Sequence, residues 1–302
     1  MSTPAPAVEI SRSHRARPCT VTDGRPPPSP SPVAAAYARL TEVFPGLRID
    51  ELTPGERQPE GGGWVTATRL SAGGAELDAF LAWDAAQVLR DYGQQARPDV
   101  VASFGLHRYA WPACLLITLP WFLHRRVPRF PTDRVSFQRA LGRMSVRVGT
   151  FSCLPDDPLA EHPDARVLPD EEALRMEVRA AVAEHLEPLL GGFGPRMRRR
   201  GRALWGMATD EIVEGLWYVS HLLGEEERGM RELEALLPGT TKPYAGAADF
   251  RMLTGPHGQS LPTRDRASCC LFYTLRPEET CVTCPRTCDE DRVARLSEAA
   301  SS

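Results

Sequence analysis

Apolar positions in residues 76–92 recur at helical steps: Leu77, Leu81, Ala85 and Val88 fall three and four residues apart, with glycines at 73–74 before them and at 93 after. This spacing predicts an amphipathic helix. The period returns at 174–189, where Leu174, Val178, Val182, Leu186 and Leu189 form one stripe, Asp170 stands where an N-cap belongs and Gly191-Gly192 marks the expected stop. A third stripe, Trp205, Ala208, Ile212, Leu216, Val219 and Leu223, ends at Gly224. Near the start, "VAAAYARLTEVF" reads as a short helix closed by Pro45, so ordered structure is expected from about Val33. Between 135 and 151 the period changes to two, with Met144, Val146, Val148 and Thr150 alternating with Arg143, Ser145, Arg147 and Gly149. That is the pattern of a half-buried strand, in a hairpin turning near Leu141-Gly142. Residues 100–123 are apolar and aromatic throughout but carry Pro112 and Pro120, which predicts a broken helix at the centre of the core.

These elements predict an α+β chain: a mainly helical domain at 33–260 with a small β-hairpin or sheet, and a C-terminal cysteine-rich segment with its tail at 261–302. Residues 1–32, ending "RPPPSPSP", lack an apolar stretch followed by a small-residue cleavage site, and read as a disordered Pro-rich tail rather than a secretory signal. "GERQPEGGGW" reads as a flexible connection, and a glycine- and proline-punctuated connector follows residue 236. At 302 residues and 42% hydrophobic content the chain can bury a substantial core without thiol cross-links. A formal charge of −3 gives no global attraction to nucleic acid or to an anionic membrane, and nucleic acid is not an expected partner. The longest apolar run, "AWPACLLITLPWFL", is shorter than the roughly 20 residues a membrane span needs, leaving at most peripheral membrane contact. A cytoplasmic location, the inner face of the membrane included, is the expectation, and in reducing cytosol clustered cysteines more often bind metal or do redox work than form structural disulfides.

The cysteines are clustered. "SCCLFYTLRPEETCVTCPRTC" holds five of the eight, as Cys269-Cys270, then Cys281-x-x-Cys284, then Cys288. Four thiolates in two groups joined by a loop can converge on one centre, and thiolate ligation suits zinc or an iron–sulfur cluster. Cys281 and Cys284 fit a zinc knuckle, whereas Cys269 and Cys270 do not. Adjacent cysteines on an extended strand point to opposite faces, so both reach one centre only if the backbone bends or the centre is larger than one ion. A two-iron rhomb meets that demand more easily. Zinc, a cluster and metal-free readings (buried thiols or a vicinal disulfide) all stay open on spacing alone.

Cys269-Cys270, ten residues, Cys281, two residues, Cys284 resembles the C-C-x₁₀-C-x₂-C motif of the FhuF-type ferric-siderophore reductases, and the flanking "RASCCLFY" and "CVTCP" and the region containing "LHRYAWPACLLITLPWFL" are similar to that family from about 33 to 285. The resemblance implies that Cys269, Cys270, Cys281 and Cys284 hold one [2Fe–2S] cluster, with Cys288 outside the set. It implies a reductase domain at 33–260 that passes one electron to siderophore-bound Fe(III). The favoured substrate is a hydroxamate-type ferric siderophore, since hard anionic oxygens that grip Fe(III) release Fe(II) more readily.

Substrate-binding candidates are Tyr109 and Trp111, as surfaces for the siderophore backbone, and Arg264 and Arg266, as attractors of an anionic complex or supports for the cluster; the plainer readings are core aromatics and a solvated loop. No histidine, His107 included, has a spacing that recommends it as a ligand. No Gly-rich phosphate loop follows a strand, so electrons are expected from an external donor such as a ferredoxin or a flavin reductase. "RMRRRGR", residues 196–202, is either a solvated helix start or a dock for an acidic donor. Two other functions fit less of the pattern: a siderophore or iron carrier with a structural four-cysteine zinc site, and an iron–sulfur redox sensor.

Overall fold

In the computed structural model the residues described are 30–300, and contacts gather Ser31–Ser302 into one compact unit. The first 29 residues, with Cys19 and almost all of the expected Pro-rich tail, lie outside the described residues. The helices are α1 (Ala34–Val43), α2 (Ala67–Ser71), α3 (Ala75–Tyr92), α4 (Pro98–His124), α5 (Glu171–Met197), α6 (Arg202–Leu222), α7 (Glu226–Leu236) and α8 (Asp289–Ala300). The strands are β1 (Arg48–Glu51), β2 (Trp64–Thr66), β3 (Val127–Pro128), β4 (Val135–Gln138), β5 (Arg143–Val146), β6 (Phe151–Cys153), β7 (Ala165–Val167), β8 (Phe250–Thr254) and β9 (Ser260–Arg264). They form a sheet of order β1-β5-β4-β2, a second of order β3-β6-β7 and the β8–β9 hairpin. The α+β architecture is thus mainly helical, with small sheets. The line drawn at 260/261 falls inside the hairpin, at the start of β9.

Helix α4 is the axis of the core. It packs against α1, α3, α5 and α6, and most of its length is buried on every side. An apolar sequence without amphipathic period suits such a position. The helix is long and apolar enough to cross a membrane by length and composition, but 83% of its most apolar window is covered by the rest of the protein. The expected break is absent: α4 runs unbroken through Pro112 and Pro120. Pro120 brings no N–H to the Leu116 carbonyl, and the Tyr37 hydroxyl on α1 donates to that oxygen instead, at 2.8 Å. Tertiary packing fills the gap that a free helix would leave.

Other expectations shift in register or length. Asp170 caps α5 through its carboxylate and the Ala173 N–H at 2.8 Å, as the sequence predicts, but α5 continues through Gly191-Gly192 to Met197. A Cβ at Gly192 would lie 2.6 Å from the Ser71 carbonyl oxygen, so this glycine serves the close crossing of α2 rather than a helix end. On α3 the buried positions are Leu77, Phe80, Asp84 and Val88, while Ala85 is exposed. Asp84 is tolerated inside because Arg108 and Arg139 both donate to it. The hairpin turns at 139–142, with Gly142 at φ 58°, but β5 stops at Val146, leaving Val148 and Thr150 outside it. Both faces of β4 and most of β5 are buried, so the strands are interior rather than half-buried.

Candidate metal centre

The chain enters the cysteine segment along β9. Arg264, fully buried, donates to Asp210 Oδ1, Glu214 Oε1 and the Ala248 carbonyl, each at 2.9 Å. Asp210 on α6 also accepts from the Ala267 N–H, the Ser268 N–H and the Ser268 hydroxyl, each at 2.8 Å. The two residues preceding Cys269 are therefore fixed to a carboxylate that is itself wholly buried. A buried carboxylate with this many donors is an anchor whose removal would strand a guanidinium.

Further contacts fold the segment back on itself and seat it on its neighbours. The Arg266 N–H donates to the Thr283 carbonyl at 3.1 Å, joining the strand before Cys269-Cys270 to the turn between Cys281 and Cys284. Leu271, directly after the cysteine pair, takes φ 68°, a left-handed conformation that costs a non-glycine residue about 1 kcal/mol or more and bends the chain where an extended strand would splay the two thiols. The loop that follows is seated on the α3–α4 corner: Phe272 meets Tyr92 at 5.6 Å and Phe104 at 6.2 Å between ring centroids, and Leu275 joins Val88 and Val100 in a small apolar cluster. From the C-terminal side, Arg292 of α8 donates to the Cys284 carbonyl at 2.9 Å, and Arg295 donates to the carbonyls of Thr280 and Glu278.

All seven cysteines among the described residues are free thiols. Around the motif, donors already point at sulfur: the Leu271 N–H at Cys269 Sγ (3.4 Å), the Arg286 N–H at Cys284 Sγ (3.5 Å) and the Thr283 hydroxyl at Cys281 Sγ (3.9 Å). Burial pushes the Cys270 and Cys281 thiols up; the neighbouring thiols, Cys284 among them, push the same way and the Arg266 charge opposes. The thiols thus sit close enough to sense one another, and a bound metal has to displace their protons. Among the described residues no group of three or more His, Cys, Asp or Glu side chains closes on a point that suits a single metal ion. Arg266 faces the same place. Burial works against its charge, but Asp210, Glu211 and Glu214 raise its pKa above the ordinary arginine value. Its Nε and Nη2 are buried without a hydrogen bond, 3.6 Å from Asp210 Oδ2 and 3.8 Å from Glu211 Oε1. Four thiols, N–H and O–H donors aimed at sulfur, and a guanidinium with unfilled donors fit a thiolate-held anionic cluster.

Residues 266–286 match the FhuF 2Fe-2S C-terminal domain. The chain carries a FhuF-type 2Fe-2S domain. Its cofactor is accordingly a [2Fe–2S] cluster, and the match covers the motif rather than the whole of the 33–285 range over which the resemblance was expected. The comparison with curated proteins returned no match.

The 2Fe-2S domain forms one wall of an open depression of about 440 Å³. Cys281, Thr283 and Arg266 come from the domain, His107 and Trp111 from α4, Glu214 and Tyr218 from α6, and Phe44 from the end of α1. The pairs 107/111 and 214/218 are each one helical turn apart, so each helix offers one face. Phe44, Trp111 and Tyr218 meet edge to face or tilted at 5.6–5.9 Å. His107 Nδ1 lies 2.7 Å from the buried Glu211 Oε2.

Of the four substrate candidates, two reach this depression. Trp111 and Arg266 line it; Tyr109 and Arg264 do not. Tyr109 is wholly buried, with its hydroxyl 3.0 Å from His185 Nε2, and Arg264 is consumed by the Asp210 and Glu214 clamp, so neither can meet a ligand from solvent. Sequence reasoning missed Asp210, Glu211, Glu214 and His107 as parts of one site. Three acids within five positions of an otherwise apolar helix stripe were the available signal. In the run 196–202, Arg196 is paired with Asp78 at 2.8 Å and Arg199 contacts Met207 Sδ at 3.5 Å.

Proposed function

We propose that the protein is a ferric-siderophore reductase, in which Cys269, Cys270, Cys281 and Cys284 hold the [2Fe–2S] cluster and the depression lined by Trp111, Arg266 and Cys281 receives the ferric complex. The observation that carries this reading is the shared wall: an aromatic surface, an arginine and one motif cysteine open onto the same depression. When bound, the cluster supplies a single electron, the change that converts Fe(III) to Fe(II). The residues of this chain do the rest. Phe44, Trp111 and Tyr218 present flat apolar rings against which a siderophore backbone can lie. Arg266 sets a positive charge on the wall beside Cys281, which favours an anionic complex in the depression. The Asp210 clamp fixes the cysteine pair against α6, so the distance between donor thiolates and bound substrate does not wander. Fe(II), less charged and faster to exchange ligands, then leaves a hydroxamate-type siderophore for other acceptors. We place the reaction in the cytoplasm, with electrons drawn from a separate reduced protein.

The test is single-turnover reoxidation under anaerobic conditions. Protein reduced chemically and freed of reductant is mixed with a ferric hydroxamate, and the visible spectrum is followed. Reoxidation with one Fe(II) formed per cluster supports the reading, and Trp111→Ala should weaken the apparent affinity for substrate about tenfold, as loss of one aromatic contact does. A cluster that stays reduced in the presence of several ferric siderophores would sink it and favour a redox sensor.

A further inference from the structure

The α5–α6 corner bears a group of arginines that the fold itself does not use. Arg198, Arg200 and Arg202 are exposed, and no hydrogen bond or ion pair is seen for their guanidinium groups among the described residues. Arg198 is the left-handed cap of α5, and Arg198, Arg199 and Arg200 line a depression of about 630 Å³ with Leu190, Pro195 and Leu204. The concave basic surface stands out on a chain whose formal charge is −3. Every other part of the 196–202 run has a structural partner, as Arg196 with Asp78 and Arg199 with Met207 show.

The corner lies beside the cysteine pair. Gly206 is so close to the segment that a Cβ there would sit 3.3 Å from the Ala267 carbonyl oxygen and 3.6 Å from Ser268 Cβ. Arg202 is four residues before Gly206, hence on the same face of α6 and about 6 Å along its axis. Cys269 follows Ser268 by one ~3.8 Å Cα step. The first turn of α8 carries Asp289, Glu290 and Asp291, of which Asp289 is paired with Arg251 at 2.7 Å. The thiols thus have a basic shoulder beside them at α6.

We infer that the shoulder formed by Arg198, Arg200 and Arg202 is the docking surface for an acidic one-electron carrier protein that reduces the cysteine-held centre. The inference rests on the reductase reading for its purpose. Opposite charge at the shoulder speeds encounter. The exchange balances simply: the reduced carrier loses one electron, the centre gains one, and no bond or proton moves.

The experiment measures binding of an acidic plant-type ferredoxin to the cluster-loaded protein by calorimetry at low and high salt, for the parent, for Arg198→Glu/Arg200→Glu/Arg202→Glu, for the same three positions changed to Lys, and for Arg57→Glu as a distant exposed control. Charge reversal is expected to weaken binding at least ~tenfold and to remove its salt dependence, while the Lys and Arg57 variants bind as the parent does. Reduction by dithionite should be equal in all four, which separates docking from loss of the centre; the single variant Arg202→Gln, expected to weaken binding about threefold, serves if the triple reversal does not fold. Parent protein that binds ferredoxin without salt dependence, a reversal that binds unchanged, or arginine-dependent binding of anionic vesicles or duplex DNA with none of ferredoxin would overturn the inference. Ferredoxin binding that follows the arginines, in protein whose reduced cluster no ferric hydroxamate reoxidises, would leave the dock standing and remove the reductase reading instead.

Discussion

Around α4 the buried contacts are almost all apolar, whereas the cysteine segment is tied to α6 by Asp210 and Arg264, tied to the end of α3 by Gln94, which donates to the Leu275 carbonyl 181 residues away, and closed on itself by Arg292 and Arg295. Each buried leucine or phenylalanine of the core contributes about 1.5–3 kcal/mol without fixed direction, while each hydrogen bond to a charged group of the segment contributes a similar amount, about 1.5–3 kcal/mol, but only at the right geometry. The difference assigns different work to the two regions. Apolar packing gives the helices their stability and tolerates small shifts. Directional clamps give four thiols one arrangement and fail together when a central group is lost. The core should therefore fold whether or not the centre is loaded, and the centre should depend on the clamps more steeply than the core does.

The sharpest break between the regions is expected from Cys281→Ser. A serine oxygen is a harder, poorer ligand for iron–sulfide chemistry, and iron and acid-labile sulfide should fall to near zero while far-UV circular dichroism stays native. Helix loss in parallel with iron loss would show that the two regions are not separable. Cys288→Ser, one exposed thiol beyond the motif, is the matched control and should keep its iron.

Asp210→Asn comes next, since Asp210 belongs to both regions. Removing its charge leaves Arg264 and Arg266 buried beside one carboxylate fewer, at a cost of about 3–5 kcal/mol, and cluster content should drop with it. Urea unfolding and iron analysis on the same preparation check both parts. A stable protein that keeps its cluster would show that the clamp is redundant.

A third prediction touches the core alone. His185, wholly buried between the Tyr109 hydroxyl and the Phe130 carbonyl, has its pKa lowered to about 4 by burial, against 6.5 for the free side chain. The unfolded chain then binds the proton more readily than the folded one. Stability from this group is complete above pH 6.5 and is lost as pH falls towards 4, by about 3 kcal/mol in all. His185→Gln should flatten that slope in denaturation midpoints measured across the window; an unchanged slope would assign it to other groups.

The smallest effect is expected at Tyr37→Phe. It removes the donor that serves the Leu116 carbonyl where Pro120 cannot, so a loss of about 1 kcal/mol should appear in urea unfolding, with cluster content unchanged. A loss near zero would mean that the carbonyl finds another partner.

Most of the fold was legible because period and punctuation are local. The stripes on α5 and α6 and the Asp170 cap lie where the sequence predicts them, α3 forms where its period places it although its buried face runs through Phe80 and Asp84, and the cysteine spacing alone named the region that matches a 2Fe-2S domain. The short elements after residue 224 were not foreseen: α7, the β8–β9 hairpin and α8 sit in stretches broken by glycine and proline or rich in charge. What tertiary structure decided is the fate of neighbours. Tyr109 and Trp111 differ by two residues on a helix apolar all round, so nothing in the pattern could say that one faces His185 and the other a solvent-filled depression. Arg264 and Arg266 also differ by two; one hydrogen-bonds Asp210 and Glu214, while the other faces Asp210 and Glu211 at 3.6 and 3.8 Å without a hydrogen bond and lines the depression beside Cys281, because the acids that separate their roles lie on α6, some fifty residues away. A chain writes its own helices and its ligand spacing locally, but which charges are consumed inside and which are left to act is settled only when distant elements meet.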